Sequence, residues 1–273
     1  MRRIVRPQQA RHTLGTTQQP RSQGLINRVP EVTLVFWILK ILATTVGETA
    51  ADVLSMTFKL GTVVTSYVMA AFLIVSLIFQ FRARRYVPPI YWIVVVFISV
   101  VGTLISDNLV DNLGVPLTTT TAIFSVALIL VFVVWYMSEK TLSVHTIYNA
   151  KRELFYWAAI LFTFSLGTSG GDLLSERLAV GYALSALIFA AGIAIVYALY
   201  RMKVMNGVLA FWLAYILTRP LGASLGDLLT QAPADGGLGL GTIPVSVVFL
   251  LVIVILVFYL TKEERKKAVP TAG

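Results

Sequence analysis

Residues 37–52 read WILKILATTVGETAAD, and the same frame returns three times: WIVVVFISVVGTLISD at 92–107, WAAILFTFSLGTSGGD at 157–172 and WLAYILTRPLGASLGD at 212–227. Each copy sets a Gly ten residues after its Trp and an Asp five residues after that Gly. The sets are Trp37, Gly47, Asp52; Trp92, Gly102, Asp107; Trp157, Gly167, Asp172; and Trp212, Gly222, Asp227. A Leu follows two residues beyond each Asp, at Leu54, Leu109, Leu174 and Leu229. With five Trp and 19 Gly in 273 residues, this recurrence is not chance. It marks an internal repeat of roughly sixty residues. Each copy holds one apolar segment ending at the Asp and a second that returns.

Outward from the repeat, the chain is 57% apolar and 13% charged, where a soluble domain carries about 25% charge. The apolar residues fall in blocks long enough for a bilayer, which needs about twenty residues per helix. Eight spans are expected, near 32–54, 61–81, 89–110, 117–137, 153–174, 179–200, 206–229 and 241–260. The chain has no Cys, which excludes disulfides, thiolate metal sites and Cys nucleophiles. His12 and His145 are the only imidazoles, and both lie in polar segments.

Residues 1–30 carry six Arg, no acid and no apolar core of a signal peptide. They read as a disordered basic cytoplasmic tail, either attracted to anionic lipid or serving as an orientation signal. The transmembrane domain covers 31–260, with repeats at about 31–86, 87–151, 152–205 and 206–260. Residues 261–273 form a basic C-terminal tail. The tails and the links 82–88, 138–152 and 201–205 hold eighteen of the 22 Lys and Arg. The opposite turns hold only Lys59 and Arg177. By the positive-inside rule both termini are cytoplasmic, and a bacterial inner membrane is the expected location. This distribution accounts for the net charge of +9 without a nucleic-acid partner. Membrane lipids are the expected surroundings, and formation of a homo-oligomer is left open.

Glu48, Asp52, Asp107, Asp111, Asp172, Glu176, Asp227 and Asp235 gather at the other ends of the odd-numbered spans. All four repeats therefore run the same way through the bilayer, unlike the inverted repeats of many transporters. The expected fold is all-α: eight transmembrane helices as four like-oriented two-helix hairpins around a pseudo-four-fold axis. The odd helices would line its interior and the nearly pure aliphatic even helices would face lipid.

Residues three or four apart share a helix face. Thr44, Glu48 and Asp52 form one polar track; Ser99, Thr103 and Asp107 a second. Ser165, Thr168, Ser169 and Asp172 form a third, and Arg219, Ala223 and Asp227 a fourth, with Ser224 beside it. Ionisable groups within a membrane cost about 2.5–3.5 kcal/mol each on insertion scales and usually face an interior or a hydrated cavity. Four converging carboxylates repel unless a cation joins them or some are protonated. The bland alternative is that the four Asp cap helix ends or serve repeat-to-repeat packing. Gly47, Gly102, Gly167 and Gly222 read as packing or hinge positions, with Pro220 favouring a kink beside the last. The four Trp read as interfacial anchors or as fillers of a common slot. Lys40 and Arg219 are the only cations in the odd spans. Arg219 could pair with a carboxylate of a neighbouring repeat or stand in for a bound cation, and Lys40 could snorkel.

These features point to a transporter or exporter of a small hard cation, such as a divalent metal, Na⁺ or H⁺. Asp52, Asp107, Asp172 and Asp227 are its expected metal or ion ligands, and Glu48, Thr103, Thr168, Arg219 and Lys40 complete the binding site. A cation channel with an acidic ring and a membrane scaffold without transport are the alternatives. The differences among repeats favour a transporter over a plain four-fold pore. No cofactor is expected. Enzyme chemistry is not expected either: Asp172 and Asp227 follow glycines as in intramembrane aspartyl proteases, but Ser169 and Ser224 occupy the place of that motif's first Gly.

The strings VPEVTL at 29–34, KILATTVGET at 40–49 and LTRPLGASLGDLLT at 217–230 resemble a family of bacterial "membrane-anchored" proteins classed as a repeat of unknown function. The resemblance covers 31–260 and implies an eight-helix inner-membrane protein. It implies no substrate.

Overall fold

Four start signals set the odd helices. Thr33 accepts a hydrogen bond from the Phe36 amide at the head of α1 (Leu34–Asp52), and Pro88 and Pro89 open α3 (Pro88–Asp107). Asn149 caps α5 (Ala150–Asp172) and Asn206 caps α7 (Gly207–Thr230), each accepting from an amide three residues on. Such caps satisfy amides that the first helical turn leaves unpaired. In the computed structural model, which describes residues 27–268, these helices alternate with α2 (Thr62–Arg82), α4 (Leu117–Glu139), α6 (Tyr182–Arg201) and α8 (Thr242–Ala268). Among the described residues the remaining ordered elements are short π or 3₁₀ turns. Seven of the eight long helices are long and apolar enough to cross a membrane, the mark of a multi-pass membrane protein. The exception is α5, whose Ser165, Thr168, Ser169 and clustered glycines lower its hydropathy below that of a free-standing span.

The odd helices touch in the order α1, α3, α5, α7 and back to α1. The repeat glycines sit at those contacts. A Cβ on Gly47 would overlap Ser99, one on Gly102 would lie 2.6 Å from the Phe164 Cβ, one on Gly167 would overlap Arg219, and one on Gly222 would overlap Thr44. Every neighbour named is the residue three before the next repeat's glycine. Small residues at these points let backbones approach closely, as in other membrane helix pairs. At all four glycines a side chain would meet the neighbouring inner helix, as a packing position requires. Helices α1, α3, α5 and α7 run unbroken through these glycines, and α7 also runs unbroken through Pro220. The irregular backbone comes later, as π-helical turns at Val53–Thr57, Asn108–Asn112 and Leu173–Arg177, directly after three of the four Asp. Gly61 and Gly181 then take positive φ (74° and 82°) to turn the chain into α2 and α6.

The even helices do not lie chiefly against their own hairpin partners. Helix α2 packs on α3, α4 on α5, α6 on α7, and α8 returns to α1. Each repeat's second helix therefore covers the first helix of the next repeat, and Ser246 of α8 closes the circuit by donating to Thr49 of α1 at 2.7 Å. In α1 and α7, 61% of the membrane-length window is buried inside the protein, against 17% in α4 and α8. The outer layer is thus a single shell of aliphatic helices around a buried inner four.

Two boundaries differ from expectation. Helix α8 runs to Ala268, so residues 261–268 continue the last span as helix. The basic N-terminal tail does not run free as far as residue 30, because residues 27–30 are docked. The Asn27 side chain donates to the Val144 carbonyl at 3.0 Å, Val29 is buried, and Arg28 pairs with Glu153 at 2.8 Å. Gln80 donates to the other Glu153 oxygen at 2.8 Å. Residues 1–26 of the expected tail lie outside the described residues.

Candidate functional site

Counting in steps of four from the residue before each Trp gives one stripe per odd helix, since i and i+4 share a face. The first members are Phe36, Tyr91, Tyr156 and Phe211. All four are buried aromatics, and they form a floor in which Tyr91 and Tyr156 hydroxyls are 2.5 Å apart and the Phe36 and Phe211 rings 6.1 Å. The Trp residues pack around it. Trp92, Trp157 and Trp212 are buried, whereas Trp37 is half-buried, so a common packing slot describes three of the four better than an interfacial anchor. The Trp212 indole donates to the Leu142 carbonyl at 2.9 Å and the Trp92 indole to the Tyr86 hydroxyl at 3.2 Å.

One turn further are Lys40, Val95, Ile160 and Tyr215, each with no exposed surface. Lys40 does not snorkel. Its Nζ lies 4.1 Å from the ring centroids of both Phe164 and Tyr215 and has no hydrogen-bond partner. The negative faces of the two rings are the surroundings that best tolerate positive character at a buried amine. This contact replaces the ion pair a buried lysine usually takes.

The next level holds Thr44, Ser99, Phe164 and Arg219, all fully buried. Above it stand Glu48, Thr103, Thr168 and Ala223. Arg219 rises from its own level into this one, where small Ala223 leaves room on the same helix. Its Nη2 donates to Glu48 Oε2 at 2.7 Å, to the Thr168 hydroxyl at 2.7 Å and to the Thr103 hydroxyl. Its Nη1 donates to the Thr44 carbonyl at 3.4 Å, while Nε has no partner. One guanidinium therefore joins all four repeats through oxygen acceptors. Gly226 helps, because the Glu48 chain passes where a Cβ would sit 3.3 Å from the Glu48 Cβ. Of the readings open for Arg219, pairing with a neighbouring repeat's carboxylate is the one the structure displays.

The fifth level is Asp52, Asp107, Asp172 and Asp227. Asp227 is 6% exposed and the other three are half-buried, so access to solvent grows from the Arg219 level toward these carboxylates. Asp52, Asp107 and Asp172 stand where the π-helical turns begin, yet none makes a side-chain capping hydrogen bond. Capping does not explain them. The expected metal site does not assemble either: among the described residues no three His, Cys, Asp or Glu side chains group as the ligands of a metal ion would. Asp has a single methylene, and neighbouring packed helices lie about 8–10 Å apart. At the turn after Asp172, burial raises the pKa of Glu176 above the usual carboxylate range, partly offset by the hydrogen bond it accepts from Tyr182 at 3.1 Å.

Of the residues expected at a site, Glu48, Thr103, Thr168 and Arg219 are in direct contact. Lys40 lies two levels below Glu48, and the four Asp one level above it. Sequence reasoning missed the aromatic floor, although the signal was present as an aromatic residue before every repeat Trp. It also missed Phe164 and Tyr215, whose role depends on a lysine from another repeat. Comparison with curated proteins gave no match, and neither did comparison with solved structures. A family model matches four times in tandem, at residues 35–86, 90–141, 155–204 and 210–266, and through these copies the chain belongs to the family described as Repeat of Unknown Function (DUF347).

Proposed function

We propose that this protein is a membrane carrier for a small hard cation, with four like-oriented repeats around a pseudo-four-fold axis normal to the bilayer. The matched order of contacts supports the common direction: Phe36 with Trp92 and Phe211, Gly47 with Ser99, Glu48 with Thr103 and Gly226. The basic links favour cytoplasmic termini, which puts the aromatic floor inside and the four Asp outside.

One observation carries the reading. The centre of the ring is lined by oxygen atoms from three repeats, and the cation that fills it is the protein's own Arg219. An oxygen cage suits a hard cation. An entering ion would pass the Asp level, where fixed negative charge concentrates cations, and would compete with Arg219 for Glu48, Thr103 and Thr168. The aromatic floor and Lys40 close the opposite end, which favours a carrier over a permanently open channel. Asp52, Asp107, Asp172 and Asp227 then serve to attract and relay the ion, without a fixed metal centre.

The scaffold reading also has a specific observation behind it, since the Arg219 network ties the repeats together. Reconstituted protein separates the two. Saturable uptake of Mg²⁺, Mn²⁺ or Na⁺ into proteoliposomes, lowered at least tenfold by Asp107→Asn with Asp172→Asn at unchanged thermal stability, is the expected result. Absence of uptake for every cation tried, with the Asp variants no different from the parent in cation-dependent melting, would leave the scaffold.

A further inference from the structure

We propose that the groove between α3 and α8 is a binding site for one anionic phospholipid, with an acyl chain along its floor and the phosphate held by Lys262 and Arg265. The groove encloses about 560 Å³ and is walled by Trp92, Ile93 and Phe97 on one side and Leu250, Val254 and Phe258 on the other. It exists because α8 packs on α1 and touches α3 only lightly.

Length places the two cations. Helix α8 has 27 residues, or about 40 Å at 1.5 Å per residue, against a hydrocarbon core of about 30 Å. Its last two turns therefore stand at headgroup depth. Lys262 and Arg265, three residues apart, share a face there and close the end of the groove. The acids beside them are engaged elsewhere: Glu263 lies 3.9 Å from Lys266, and Glu264 lies 3.0 Å from Lys267. Among the described residues Lys262 and Arg265 have no ion pair; Lys262 only overlies the Phe258 ring at 4.7 Å. Two exposed cations above an apolar slot match an acidic headgroup above its chain.

A second groove supplies the contrast. The space of about 870 Å³ between α1, α6 and α7 uses Trp37 where this one uses Trp92. Its lining contains Thr33, Ser143, His145 and Asn206 but no Lys or Arg. The charge selectivity thus belongs to the α3–α8 groove.

The test uses purified full-length protein in detergent, titrated with phosphatidylglycerol, with phosphatidylcholine of the same chains, and with glycerophosphate, following the unfolding midpoint. Phosphatidylglycerol should raise the midpoint at about tenfold lower concentration than phosphatidylcholine. K262Q/R265Q should erase that difference, and K266Q/K267Q should keep it. Ile93→Trp, which fills the groove, should weaken both lipids and serves as the independent variant. Equal response to the two lipids, retention of the difference in K262Q/R265Q, or an equal effect of glycerophosphate would each overturn the proposal.

Discussion

The inner helices α1, α3, α5 and α7 and the outer helices α2, α4, α6 and α8 have similar lengths, but they satisfy different physics. The inner four carry Lys40, Glu48, Arg219 and a run of Ser and Thr, and bury them against one another. The outer four expose long aliphatic surfaces, such as Val63, Val126, Leu187 and Leu251. In lipid an apolar exposed side chain costs nothing, so the outer shell needs no further cover. A polar side chain does cost, so the inner helices can exist only as a closed set. What the contrast teaches is that specificity in this fold resides in polar partners and backbone proximity, with general hydrophobicity supplying the shell.

The strongest way to break the contrast is to strip one member of the buried pair. Arg219→Met leaves Glu48 inside without its cation and should cost about 3–5 kcal/mol, read as a large fall in the unfolding midpoint of detergent-purified protein. Removing both charges in R219M/E48M should restore most of that loss, while any cation uptake stays absent. Failure of the double variant to recover would mean that the guanidinium matters for its threonine bonds and not for the ion pair.

Next in size are the glycines. Gly167→Ala forces a methyl into Arg219 and Pro220 and should cost about 1–3 kcal/mol. Gly192→Ala on outer α6 meets only the end of the Leu217 side chain at 3.3 Å, which can rotate, so a change within about 0.5 kcal/mol is expected. Comparable losses at the two sites, measured by the same melts, would erase the distinction between inner and outer packing.

Within the aromatic floor, Tyr91→Phe removes one hydroxyl of the Tyr91–Tyr156 pair. The expected loss is about 0.5–1.5 kcal/mol, and Y91F/Y156F should cost less than the sum of the single changes because neither buried hydroxyl is then orphaned. Smallest of all, Leu251→Ala on the lipid face of α8 should shift stability by about 0.5 kcal/mol or less. A larger shift would reveal a partner on that face.

Much of this was legible in order along the chain. The Trp–Gly–Asp frame gave four tandem copies, and the family model likewise matches four times in tandem. The i, i+4 tracks ending at Asp52, Asp107, Asp172 and Asp227 identified the buried faces. The departures have physical causes. Lys40 reads as a snorkelling residue until Phe164 and Tyr215, over a hundred residues away, supply two ring faces. Arg28 reads as part of a loose tail until Glu153 and Gln80 form a buried acceptor and donor for it. The four Asp read as a metal cage along the sequence, yet among the described residues no three such side chains group as metal ligands.

The sequence by itself determined the repeat, the all-helical membrane character and the polar stripe on every inner helix, because hydropathy and the 3.6-residue period are local properties that each segment carries alone. Only the tertiary structure decided that each outer helix covers the next repeat and that Arg219 of the fourth copy meets Glu48, Thr103 and Thr168 of the other three. Such pairings depend on ring order and register between distant segments, and no local periodicity encodes which helix faces which.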